Sequence, residues 1–161
     1  MVEHSTRRAC GGCTLCCLTH GVQLSKKVFK VRNEWCTHCT IGGGCQIHET
    51  SQPGACHDWN CAWLGGLGPE SARPDKTQVV VEWSWTPFGR TLVMTAATPD
   101  ALSSDYATSA TARYAEQGIP IQYRQFDGKT QVVFKQGTSV EPSLRHQCEK
   151  EGVEIVFVET E

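Results

Sequence analysis

Nine of the ten cysteines fall between Cys10 and Cys61, in the segments CGGCTLCC, CTHCTIGGGC and CHDWNC. Sulfur at that density either staples a chain with disulfides or binds a cation as thiolate. The spacing points to the second use. Cys10, Cys13 and Cys16 recur every three residues, and Cys36 with Cys39 repeats the interval. A C-x-x-C turn aims two sulfurs inward from a tight loop, which suits tetrahedral zinc or one corner of an iron-sulfur cube. A disulfide framework has no use for that repeat. The candidate metal ligands are therefore Cys10, Cys13, Cys16, Cys17, Cys36, Cys39, Cys45, Cys56 and Cys61. The side chains of adjacent Cys16 and Cys17 are expected to point apart and serve different sites, because a disulfide between neighbours is strained. Gly11, Gly12, Gly42, Gly43 and Gly44 flank cysteines and can supply the positive backbone angles of a chain wrapped tightly around an ion.

Taken in order, the cysteines resemble a known family, the zinc- or iron-chelating cysteine-cluster proteins of the YkgJ type. The opening four that end in a Cys-Cys pair match Cys10, Cys13, Cys16 and Cys17. The isolated fifth matches Cys36, the Cys-x-Ile matches Cys45 to Ile47, and the last two match Cys56 and Cys61. The resemblance spans residues 10–76. Thr14 stands where the family has glycine, Gln52-Pro53 stands where it has Arg-Pro, and Cys39 is an additional thiol. None of these changes removes a presumed ligand. What the resemblance implies is a metal-binding domain, with zinc or an iron-sulfur cluster as the bound group.

His38 sits inside the second C-x-x-C and His57 follows Cys56, so either could enter a mixed Cys-His set. Cysteines alone already suffice for two four-coordinate sites, which leaves these histidines a supporting hydrogen-bond role. His20, His48 and His146 carry a weaker signal. A catalytic Cys-His pair is conceivable on chemical grounds, but nothing singles out one thiol from the rest of the cluster. Trp35, Trp59 and Trp63 are expected to form an apolar shell over the sulfurs, since they lack the interleaved basic residues of a base-stacking platform.

The elements that must position this cluster come from a chain of 161 residues, with 39% hydrophobic and 20% charged residues, the composition of a folded globular protein. Residues 1–76 carry 8 Lys and Arg against 6 Asp and Glu, and residues 77–161 carry 7 against 11. That balance argues against a nucleic-acid partner, which calls for a basic face. The local exceptions, Arg7-Arg8 and Lys26-Lys27-Lys30-Arg32, are expected to be solvated surface. No apolar run approaches the eighteen residues of a membrane span, and MVEHSTRRACGG has no apolar segment after its charges. A cytoplasmic location with reduced thiols is the expectation.

Two lobes are expected, a cysteine-cluster metal-binding lobe over residues 1–76 and an α+β lobe over 77–161. From Leu18 to Trp35 the partly alternating pattern reads as extended structure or a short helix. GGLGPESARPDK, residues 65–76, reads as a connector. Beyond it, TQVVVEWSW and GRTLVMTAA form a hairpin about Thr86-Pro87-Phe88-Gly89. A helix is expected with Thr98 as N-cap and Pro99 in its first turn, a stripe of Leu102, Tyr106, Ala110 and Tyr114, and Gly118 as its stop. Asp127-Gly128 predicts a two-residue type I′ turn between two more strands. A helix from Glu141 to Glu151 stopped by Gly152, with Cys148 on its apolar side, and a last strand VEIVFVE complete the order. The predicted fold is α+β, an irregular cysteine-rich lobe followed by a small, mainly antiparallel sheet with two helices packed on one face.

The second lobe holds no phosphate-binding glycine loop, G-x-S-x-G or H-E-x-x-H motif. Glu82, Asp100, Asp105 and Asp127 read as caps or solvated charge. Three functions fit. The first is a non-enzymatic metalloprotein whose cluster fixes the fold, with the α+β lobe docking a protein partner, VEIVFVE being a strand edge suited to that. The second is an iron-sulfur redox or electron-transfer protein. The third is a thiol-dependent enzyme or metal-handling protein.

Overall fold

The computed structural model describes residues 8–160. Residues 1–7, on which the expectations for a leader segment and for Arg7 fall, lie outside the described span. The first 70 or so residues contain only short elements. They are the single helical turns α1 (Cys16–Thr19), α2 (Gly54–His57) and α3 (Pro74–Thr77), the hairpin of β1 (Val22–Ser25) and β2 (Val28–Lys30), and the two-residue strands β3 (Cys39–Thr40) and β4 (Gly44–Cys45). The Leu18–Trp35 stretch is thus a hairpin, with Gln23 opposite Phe29. The Gly- and Pro-rich connector holds a 3-10 turn at Glu70–Ala72 and then α3, which Gln78 ends in the left-handed conformation at φ 59°.

The second half is built on β5 (Val79–Thr86), β6 (Gly89–Ala96), α4 (Asp105–Glu116), β7 (Ile121–Arg124), β8 (Thr130–Lys135), α5 (Pro142–Glu151) and β9 (Val153–Val158). The five strands form one sheet in the order β5-β6-β7-β8-β9. The fold is α+β as expected, but this sheet is mixed rather than mainly antiparallel. β5 with β6 and β7 with β8 are antiparallel hairpins, whereas β6 with β7 and β8 with β9 are parallel. Each helix carries the chain back along the sheet, so the strand after it runs parallel to the strand before it.

The two helices cover opposite faces, not one. Ala107, Tyr114 and Ala115 of α4 pack with Val79, Val81, Leu92, Met94, Ile121 and Val133. Leu144 of α5 packs with Val132, Phe134, Ile155 and Phe157, which point the other way along the same strands. β6 and β8 run in opposite directions, so two right-handed crossovers that step the same way across the sheet must land on opposite sides. Toward β5, the face under α5 is covered by the cysteine lobe: Val80 and Ala97 pack with Leu15, flanked by Cys13, Leu18, Trp59 and Cys61.

Local signals mostly hold. Pro87 and Phe88 form the tip of the first hairpin, with Thr86 opposite Gly89. Gly118, at φ 73°, ends α4 in a Schellman arrangement, its N–H on the Ala115 carbonyl and that of Ile119 on the Tyr114 carbonyl. Gly152 ends α5 at φ 69°. Two details differ. α4 begins six residues after Pro99: Ser104 is its N-cap, its Oγ accepting from the Ala107 N–H at 3.3 Å, and residues 101–103 form a separate 3-10 turn. Asp127-Gly128 lies in a three-residue loop, in which the Gly128 N–H donates to Gln125, the Gln125 N–H donates to Lys129, and only Gly128 has positive φ. That is a type I turn with a bulge glycine, not the I′ turn, which needs two left-handed residues. Among the described residues no helix is long and apolar enough to cross a membrane.

Candidate metal centre

Both C-x-x-C segments close into hydrogen-bonded turns. The Cys13 N–H donates to the Cys10 carbonyl and the Cys39 N–H to the Cys36 carbonyl, each at 3.0 Å. Gly11, at φ 56°, supplies the left-handed residue of the first turn. A Cβ at Gly12 would lie 2.9 Å from the Gly42 carbonyl oxygen, so glycine is what lets the first turn meet the β3–β4 hairpin. Thr14 joins them, its Oγ1 accepting from the Gly42 N–H at 3.2 Å. The second turn is tied to the first through the Cys36 N–H and the Cys17 carbonyl, 3.0 Å apart, and β3 sets Cys39 opposite Cys45 of β4. Six cysteines, Cys10, Cys13, Cys17, Cys36, Cys39 and Cys45, are thus tied together by these contacts.

The thiols feel one another electrostatically, and the pattern sorts them. Burial raises the Cys10 pKa, and the sulfurs of Cys61, Cys13 and Cys17 raise it further. Burial also raises Cys61, against the N–H of Leu64, which donates to its Sγ at 3.4 Å. In the second group, Cys17 is raised strongly by its hydrogen bond to Cys16 and by burial. Burial and Cys17 push Cys39 up to about 11. Cys56 is raised by burial and by Cys17, Cys36 and Cys45. Cys10, Cys13 and Cys61 are therefore one neighbourhood, and Cys16, Cys17, Cys36, Cys39, Cys45 and Cys56 another, with Cys17 acting on both. Cys16 acts directly on Cys17, its neighbour on α1.

All ten cysteines are free thiols. Among the described residues no three His, Cys, Asp or Glu side chains are arranged to hold a metal ion. The sulfurs are thus gathered without closing into a coordination polyhedron. As donors they suit a thiophilic cation such as zinc or the irons of a cluster, and the second neighbourhood, with six, contains enough of them for a four-coordinate site.

The histidines divide differently from their sequence order. His57 is turned outward, 67% exposed, with Nδ1 2.7 Å from Asp58. His48 is exposed beside Glu49. His20, a weak candidate in sequence, lies at the joint between lobe and sheet. Its ring sits 4.6 Å from that of Trp59, its Nε2 is 3.5 Å from Glu82, and its Nδ1 is 2.8 Å from the Thr19 hydroxyl. Glu82 also accepts hydrogen bonds from Trp59 Nε1 and, at 2.9 Å, from Arg124. It is therefore a buried mid-strand carboxylate, not a solvated one. Its sequence signal was being the single charge in the run VVVEWSW.

Of the three tryptophans expected over the sulfurs, Trp59 packs beside Cys13 and Cys61. Trp63 is buried, with the Arg8 and Arg73 guanidinium groups over its ring and its Nε1 donating to Pro69. Trp35 is half-exposed. Three of the basic residues expected at the surface are engaged instead. Arg8 donates to the carbonyls of Trp63, Leu67 and Gly68, Lys30 is buried, and Arg32 Nε donates to the Thr19 carbonyl at 3.2 Å. Lys26 and Lys27 are exposed. No family model matches the chain, and no curated protein or solved structure matches it.

Proposed function

We propose that the chain is a metal-binding protein in which the cysteine cluster coordinates zinc or an iron-sulfur cluster as a mainly structural centre. The observation that carries this is the shortage of apolar interior around the gathered thiols. Between residues 8 and 61 only Thr14, Leu15, Thr19 and Lys30 are buried, and a single one of them is an apolar side chain. A lobe of that size with so little oily core needs another source of cohesion, and metal-thiolate bonds supply it in small domains that are unfolded without their ion. The resemblance to YkgJ-type proteins supports the same reading. A reducing, cytoplasmic setting belongs to it, because thiols reserved for metal are lost to disulfides elsewhere. The α+β lobe, with β9 as its outermost strand, is the part available to a protein partner.

The test is the metal-to-protein ratio of anaerobically prepared protein. Brown protein absorbing near roughly 400 nm, with iron and sulfide, identifies a cluster. Colourless protein with about two zinc ions per chain identifies structural zinc. Neither metal in stoichiometric amount overturns the proposal. Replacing Cys45, which lies opposite Cys39 and within 3.9 Å of the Gln52 amide, should remove about one centre and lower the melting temperature. A Cys45→Ser chain with unchanged metal content and unchanged melting would exclude Cys45 as a ligand.

A further inference from the structure

Lys30 ends β2 and is 7% exposed. Its Nζ donates to the Leu18 carbonyl at 2.8 Å and to the His20 carbonyl at 2.5 Å. Both acceptors are neutral. Among the described residues the lysines that form ion pairs are Lys76, Lys129 and Lys135, and Lys30 is not one of them. An ammonium has three N–H groups, so one remains after these two bonds. A buried cation without a counter-charge is expensive, and removal from water is repaid only by an anion close by. Burial lowers the Lys30 pKa, and the acidic groups that oppose this most strongly are Cys17, Cys36 and Cys16, ahead of the exposed Glu34. Leu18 follows Cys17 directly and His20 lies three residues beyond Cys17, so the two carbonyls hold the ammonium close to the Cys-Cys pair.

We infer that Lys30 is the resident counter-cation of the thiolate centre, and that the centre it faces, which includes Cys16, Cys17 or Cys36, keeps a net negative charge when loaded. This rests on the metal-centre reading. Four thiolates around a dication leave a charge of about −2, which answers the ammonium. Two thiolates with two histidines would leave the site neutral and Lys30 unanswered. The charge of Lys30 therefore selects a sulfur-rich ligand set for this neighbourhood and lowers the electrostatic cost of bringing several thiolates together.

The experiment titrates the reduced chain and two variants with Co²⁺ and Zn²⁺ against a competing chelator under anaerobic conditions. Lys30→Met keeps the length of the side chain and removes the charge, and Lys30→Arg keeps the charge. Lys30→Met should bind zinc about 10- to 100-fold more weakly, the size of effect seen when a group supporting a metal ligand is lost. Its sulfur-to-cobalt charge-transfer absorbance per bound ion should stay unchanged, because no ligand has been removed. Lys30→Arg should bind close to the wild-type affinity. Metal uptake drives folding in such lobes, so the titration reports even on a variant that is unfolded without metal. Wild-type affinity in Lys30→Met overturns the inference, as does a Lys30→Arg variant as weak as Lys30→Met, which would make Lys30 a peg for two carbonyls. A wild-type chain that takes up neither ion overturns the metal-centre reading itself, and that failure is distinct because it shows before any variant is compared.

Discussion

Glu82 illustrates how much one side chain can hold at the joint of this molecule. Burial opposes its ionisation, yet the His20 ring 3.5 Å away, the hydrogen bond from Trp59 and the charge of Arg124 outweigh burial, so its pKa lies below the ordinary value of 4.5. Trp59 and His20 belong to the cysteine lobe, while Glu82 and Arg124 belong to β5 and β7. The carboxylate therefore ties lobe to sheet. Glu82→Gln should destabilise the protein by about 2–3 kcal/mol at neutral pH, as urea titration would measure, because it weakens charge-assisted bonds in a mostly buried setting. The sign with pH follows from linkage. A carboxyl group whose folded pKa is depressed stabilises the folded state fully above its unfolded value, and that stability is lost as pH falls through the folded value. The gap between wild type and Glu82→Gln should thus be widest above pH 4.5 and should close in more acidic solution. A gap that stays constant through the acid range would show that the ionised carboxylate is not what holds the joint.

The elements were legible wherever a local pattern decides them, and illegible wherever a long-range contact does. VVVEWSWT and GRTLVMTA announce strands because β-branched and aromatic residues alternate around a short turn. Gly118 and Gly152 announce helix ends because each takes the left-handed angle that other residues resist. The start of α4 was missed because Thr98-Pro99 and Ser104 both carry cap chemistry, and only packing chooses between them. The parallel pairings were missed because a hairpin is encoded by its turn, whereas a crossover carries no such mark. Among the elements, β9 has the least protected margin. It is last in the sheet, and in VEIVFV Glu154 is the single charge. Edge strands left open are commonly guarded by lysine, proline or a bulge, and an unguarded one pairs with a strand from another chain. A photo-crosslinker at Glu154 should trap an extended segment of a partner in cell extract. One placed at Ala112, exposed on the outer side of α4, should not. Trapping of the same species from both positions would rule out strand addition at β9.

At the scale of the whole molecule, cohesion comes from two different sources, and the line between them does not follow the composition. Composition changes at residue 76, where the Gly- and Pro-rich connector ends. Packing changes earlier. The Ala62 N–H donates to the Val81 carbonyl, Ala62 lies in the same core as Leu92 and Met94, and Leu67 packs against that core. Arg8 and Arg73 hold Trp63 beside it. Everything from Ala62 onward is therefore held by apolar burial on the sheet, while residues 10–57 are held by short hairpins, single helical turns and, on the reading above, metal-thiolate bonds. Leu15, Leu18, Trp59, Cys13 and Cys61 pack on Val80 and Ala97 as an apolar bridge between the two parts. Chelation of the metal under reducing conditions should then dissolve the first part and spare the second, since a structural ion contributes folding energy directly. Hydrogen exchange should show amides of β1 to β4 and α2 losing protection on metal removal. Amides of β5 to β8, and the Ala62 amide bonded to β5, should keep theirs, because they close bonds inside the core. A boundary of lost protection near Cys61 fits this division. Loss that extended through β5 and β6 would mean that the sheet cannot stand without the cluster, and protection unchanged throughout would mean that the thiols contribute no cohesion at all.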